Sequence, residues 1–166
     1  TTSKSFPTMP SNRFYVWFEQ GDWADAENSI CHPERDRAEL STCFLEIDDH
    51  ERTPLHVLAE KAQSRTHCLV GLAVNVVGFN SDALTTRDKN DETPHDIARR
   101  TGACDDVRGL LSLTPEAARS LGTMELWRLY APVDYWWDTM VGWCQSRSLT
   151  DCHKFIDAQD DELVLE

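Results

Sequence analysis

The sequence predicts an all-α fold of paired helices. Three observations carry that expectation. Apolar residues recur three and four positions apart through most of the chain. No segment alternates apolar and polar residues as a half-buried strand would. Helix start signals (Thr-Pro, Asp) and stop signals (Gly) divide the chain into pieces of ordinary helix length.

Residues 1–12 carry Pro7, Pro10 and several Ser and Thr, and read as a flexible arm. Asn12 can cap a helix through Gln20, with Phe14, Trp17 and Phe18 on its apolar side. Gly21 ends it, and Asp22 caps a second helix from Trp23 to Ile30, buried through Trp23, Ala26 and Ile30. Pro33 suits the first turn of a third helix, which runs to about Phe44 with Leu40, Cys43 and Phe44 inward. After a polar turn at Asp48–Arg52, a helix from Pro54 to about Gln63 is apolar at Leu55, Leu58, Ala59 and Ala62. Ser64–Thr66 make a loop. The run from Cys68 to Val77 is apolar nearly all round, which argues burial on more than one side, and Gly78 fits its C-terminal cap. Residues 79–92 connect to a helix from Pro94 to Arg100 that stops at Gly102. Asp105 or Asp106 starts the next, carrying Val107, Leu110 and Leu111. Thr114-Pro115-Glu116 opens a helix that Gly122 interrupts before it continues to Tyr130. Val133, Trp136, Trp137, Met140, Val141 and Cys144 then recur at helical spacing, and Ser148 with Asp151 resembles a capping box for a last helix. The expected domain spans 13–156, and an acidic tail occupies 157–166.

Two of these helices begin alike. Thr53-Pro54-Leu55-His56 is echoed 40 residues later by Thr93-Pro94-His95-Asp96, followed by Ile97, Ala98 and Gly102. Each follows a polar turn beginning with Asp48 or Asp88. This pattern resembles the ankyrin repeat over residues 48–112, under half of the chain. The resemblance implies a short ankyrin-like helical solenoid with extra capping helices at both ends. It also implies structural roles for Thr53, Pro54, His56, Thr93, Pro94 and Gly102, with His56 bracing its turn by local hydrogen bonds. The chain departs from the family in three ways. The repeat period is longer than the usual ~33 residues. Glu51 and Asp91 stand where the family has a turn glycine, and a non-glycine residue at positive φ costs free energy, less for Asp than for Glu. Asp96 replaces the second histidine.

Composition narrows the function. With 29 acidic against 16 basic residues, the formal net charge is −13. Nucleic acid and anionic membrane would be repelled, whereas a basic protein partner fits. No apolar run reaches the length of a membrane-spanning helix. The six cysteines are widely and irregularly spaced, and the first residues carry no apolar leader. Reduced thiols in a cytoplasmic protein are therefore expected.

Candidate chemistry is sparse. Cys31-His32, Cys43, Cys144 and Cys152-His153 lack the close paired spacing of a zinc module, so no metal and no cofactor are expected. A Cys/His pair in the non-ankyrin flanks could serve an enzyme only if folding brought it together. The resemblance implies instead a non-catalytic module that binds another protein. Its candidate contacts are the turn tips Asp49, His50, Glu51, Lys89, Asn90 and Asp91. Tyr135 and Trp143 join them, lying off the apolar stripe of their helix. The expected setting is an intracellular adaptor or effector, with a toxin-neutralising inhibitor as the alternative within that class.

Overall fold

The computed structural model describes residues 13–30, 37–63 and 67–130, which belong to one compact unit. Among them there is no strand, and the elements are α-helices and one 3-10 turn. Eight α-helices are described: α1 Arg13–Gln20, α2 Trp23–Ile30, α3 Arg37–Cys43, α4 Pro54–Lys61, α5 His67–Phe79, α6 Pro94–Thr101, α7 Asp105–Leu111 and α8 Pro115–Tyr130. The 3-10 turn is Ser81–Leu84. The expected helices beyond Tyr130, the start of α3 and the loop at 64–66 lie outside the described residues.

The helices form two rows. α4 packs between α1 and α6, while α5 packs against α2 and α7. The pairs α1/α2, α4/α5 and α6/α7 each join one row to the other. Burial follows this plan. Leu55, Val57, Leu58 and Ala59 of α4, and Ala62 just after it, are wholly buried, because that helix has neighbours on both sides. From Leu69 to Val77, α5 is buried at every position, as its all-round apolar sequence requires. An aromatic group closes the first pair: Phe14 packs on Phe18 and Phe44, and Phe44 on Phe79. Tyr15 is also buried, although the sequence pattern placed only Phe14, Trp17 and Phe18 inward. Its hydroxyl meets the Glu46 and Arg52 carbonyls, so the polar tip of a buried ring is satisfied by loop backbone.

One expectation needs correction. Gly78 does not cap α5; the helix continues to Phe79. The glycine serves close packing instead, because a Cβ there would stand 2.5 Å from Thr123 Oγ1 on α8. α8 can come this near because Gly122, at φ 76° and ψ 167°, breaks the helical path just before Thr123. Trp127 Nε1 then donates to the Oδ1 of Asn75, the one polar side chain in the buried stretch of α5. The connection after α5 contains the 3-10 turn. Asn80 caps the 3-10 turn by accepting from the Asp82 N–H, and its amide donates to the Ser41 carbonyl and hydroxyl. Arg119 of α8 reaches Ser81 and Asp82 from the other side.

Candidate functional site

The two Asp-led turns have the same hydrogen bonding, 40 residues apart. In the first, Asp48 Oδ1 accepts from the backbone N–H of His50 (2.8 Å) and Arg52 (2.9 Å). In the second, Asp88 Oδ1 accepts from Asn90 and Glu92, both at 2.9 Å. The closing bonds match as well: Asp48 N–H to the Arg52 carbonyl and Asp88 N–H to the Glu92 carbonyl, each 3.0 Å. A short acceptor two residues before the tip thus folds each turn. Glu51 and Asp91, which replace the expected glycines, adopt φ of 59° and 62°. The sequence reading of strained turns therefore describes the backbone found.

Each turn leads into a capped helix. Thr53 N–H donates to His56 Nδ1 at 3.0 Å, and Thr93 N–H donates to Asp96 Oδ2 at the same distance. Asp96 N–H returns to Thr93 Oγ1 at 3.2 Å, completing a capping box. Imidazole and carboxylate occupy the same place in the two units because both can accept from the N-cap amide. Pro54 and Pro94 fill the first helical position and are buried. Gly102 closes α6 in the left-handed conformation at φ 72°.

The environment sets the protonation of these groups. Burial pushes His56 below the usual imidazole range, opposed by the Glu92 carbonyl and the Asp88 charge. Burial would raise Asp48, but the Arg52 and His50 N–H groups and the Arg52 guanidinium outweigh it and hold the carboxyl below its ordinary range. The Thr93 N–H and hydroxyl lower Asp96.

The charged pair beside each turn is conserved in place and reversed in sign. Arg52 reaches Glu60 at 2.9 Å, and 40 residues on Glu92 takes Arg100 at 3.0 and 3.1 Å. Arg52 does more, because it also binds Asp48 and Glu19 of α1.

The turns are stacked. Lys89 N–H donates to the His50 carbonyl at 3.0 Å, and Lys89 Nζ reaches the Asp49 carbonyl at 3.5 Å. All six predicted tip residues, Asp49, His50, Glu51, Lys89, Asn90 and Asp91, are exposed and fall in one continuous row. Sequence reasoning identified these residues singly but not the backbone bond that joins them. Tyr135 and Trp143 lie outside the described residues.

No family model, curated protein or solved structure matches the chain. The geometry therefore stands by itself. Cys43 and Cys104, both half-buried, form no disulfide. The other members of the predicted Cys/His set, Cys31, His32, Cys144, Cys152 and His153, lie outside the described residues. Among the described residues, no group of three His, Cys, Asp or Glu side chains is placed to hold a metal. No helix among them is long and apolar enough to cross a membrane. A cleft of about 300 Å³ lies between α5, the 3-10 turn and α8, lined by Gly78, Ser81, Asp82, Arg119, Gly122 and Thr123. Its charged groups, Arg119 and Asp82, already pair with each other, and Arg119 also reaches Glu116 outside the cleft.

Proposed function

We propose that this chain is a non-catalytic, ankyrin-like protein-interaction module, an intracellular adaptor or effector whose stacked turn tips contact a basic partner. One observation carries the reading. Two turns of identical hydrogen bonding stack directly on each other through Lys89 N–H and the His50 carbonyl, and each opens a Thr-Pro-capped helix of the same row. That is the arrangement expected of consecutive ankyrin-like units, and it leaves the tips exposed to solvent while the caps and His56 are committed to structure. The partner's sign follows from charge. Asp49, Glu51 and Asp91 are exposed at the tips of a protein of net charge −13. A basic surface would be steered toward them.

The test is affinity capture from cell extract with the intact protein, followed by mass spectrometry. It is run in parallel with an Asp49→Ala, Glu51→Ala, Asp91→Ala variant. The reading expects a basic protein that is retained by the wild type, lost on raising salt, and poorly retained by the variant. Equal capture by the variant would remove the tips from the interface.

A further inference from the structure

His56 stands at the joint between the two turns, and the hydrogen bond it accepts there requires a neutral ring. Wholly buried on α4, it takes the Thr53 N–H at Nδ1 (3.0 Å), and its Nε2 lies 3.1 Å from the Glu92 carbonyl of the second turn. Thr53 is also wholly buried, and its N–H has no other acceptor among the described residues. A second proton on the imidazole must sit on Nδ1, so two N–H groups would face each other. The Thr53 hydroxyl, 2.8 Å from Nδ1, can turn to accept the new proton. The Thr53 amide is still left buried without a partner, which is costly.

The surrounding charges do not remove this conflict. Burial opposes the cation most, and Arg52 of the first turn adds to it, while the Glu92 and Thr86 carbonyls and the Asp88 carboxylate favour it. Asp48, Glu19 and Glu60 are bound to Arg52, Glu92 to Arg100 and Asp96 to the Thr93 cap. A charged ring is relieved by reaching water, and two movements could bring water to it. Parting α4 from α6 would open helices buried through Leu55, Leu58 and Ala59 on one and Ile97 and Ala98 on the other. Lifting the second turn breaks the Lys89 N–H bond to the His50 carbonyl, the Lys89 Nζ contact and the His56 bond to Glu92, at tips that are exposed already. The second movement exposes less apolar surface and is the easier local opening.

We infer that His56 is an acid-sensitive latch: a second proton on its ring unstacks the second turn from the first and breaks up the row of tips. What the latch regulates rests on the reading that the tips contact a partner. The test below needs no partner, so the latch and that reading can fail separately.

The experiment is amide hydrogen exchange on the full chain at pH 7.5 and 5.5, each rate corrected for the intrinsic effect of pH. An opened ring with the ordinary pKa of about 6.5, set against a stacked ring that refuses the proton, favours opening by a factor of about 1.1 at the higher pH and about 11 at the lower. Protection of the Lys89 amide therefore falls about tenfold. It also lies below that of Leu72 in buried α5 and is unmoved by low urea, as a local opening requires. The variant His56→Asp copies the Asp96 cap of the second unit and keeps His50 and His95, and its Lys89 amide loses the tenfold change. Lys89 protection equal to that of Leu72 would mean that the turn opens only with the whole unit, and the latch falls. It falls too if Lys89 does not respond to pH, if His56→Asp responds as the wild type does, or if the Ser112 amide at the end of α7 drops by the same factor. Circular dichroism checks that the variant is folded. For an unfolded variant, the imidazole 15N shifts of wild-type His56 decide instead: they must reach imidazolium values with the same midpoint as the Lys89 amide shift, and separate midpoints overturn the proposal.

Discussion

His56 Nε2 lies 3.1 Å from the Glu92 carbonyl oxygen, so a wholly buried imidazole on α4 holds the turn that precedes α6. Its other nitrogen accepts from Thr53 N–H, which fixes the neutral Nε2–H tautomer. One side chain therefore caps its own helix and positions the next unit. Replacing it with Leu keeps the volume but leaves the Thr53 N–H and the Glu92 carbonyl unpaired. The expected loss is roughly 2–4 kcal/mol of unfolding free energy, read from urea titration.

The same geometry gives a pH dependence of definite sign. Burial lowers the His56 pKa in the folded state. As pH falls below the ordinary imidazole value of about 6.5, the unfolded chain takes up a proton that the folded chain refuses. The contribution of this residue is therefore present above that pH and is lost as pH falls toward the lowered folded value. Urea midpoints of the wild type should drop between pH 7.5 and 5.5, and the His56→Leu variant should lose that part of the drop. Parallel curves for the two proteins would show that His56 does not titrate as described.

Glu51 and Asp91 should both be improved by glycine, Glu51 more. Each holds φ near +60°, where a side chain is strained and glycine is not. Glu51 is exposed and its side chain has no fixed partner among the described residues, so Glu51→Gly should remove a left-handed strain of roughly 1–2 kcal/mol, partly offset by glycine's own entropy cost of about 0.5–1 kcal/mol. Asp91 tolerates the left-handed region better and pairs with Arg87 at 3.3 Å, so Asp91→Gly should gain less. Thermal melts of the two variants decide the order.

These turns also show what the sequence made legible. Asp-led turns, Thr-Pro helix starts and a closing glycine act through neighbours a few residues away, so their effects can be read locally. Both the strain at residues 51 and 91 and the cap at Thr93 follow from such patterns. Long-range partners leave no local mark. Nothing near Arg52 announces Glu19, 33 residues earlier, and nothing in the tips announces that Lys89 N–H meets the His50 carbonyl. Tyr15 turned inward because loop carbonyls were there to receive its hydroxyl, while its neighbour Val16 stayed exposed. The 3-10 turn leaves no pattern in the sequence because its four residues are too few for periodicity, and Ser41 and Arg119, which brace it, lie on other elements.

Gly78→Ala should destabilise the seam between α5 and α8. The added methyl would stand 2.5 Å from Thr123 Oγ1 and 2.8 Å from its Cγ2, inside van der Waals contact. Helix propensity favours Ala, so any loss measures the clash; overpacking of this kind costs about 1–3 kcal/mol. Thr123→Ala removes both nearest atoms but leaves its Cβ 3.0 Å from the new methyl. The double variant should recover part of the loss, and a double-mutant cycle in urea measures how much. A fully additive pair would place the strain elsewhere.

Arg52 and Arg100 occupy mirrored ion pairs, yet their removal should not be equivalent. Among the described residues Arg100 holds only Glu92, and the guanidinium is largely exposed, so solvent screens the pair. Arg52 is 20% exposed and holds Asp48, Glu19 and Glu60 at once, joining α1, the first turn and α4. Burial opposes its charge, but Asp48 and Glu19 more than compensate and raise its pKa. Arg52→Ala leaves three carboxylates without their common cation, Asp48 among them half-buried. A loss of roughly 1–2 kcal/mol is expected, reduced by salt but not abolished. Arg100→Ala should shift the urea midpoint far less, and high salt should erase what shift there is. Measuring both variants at low and high salt separates the two cases: a large, salt-resistant loss at Arg100 would mean that the Arg100–Glu92 pair is shielded from solvent.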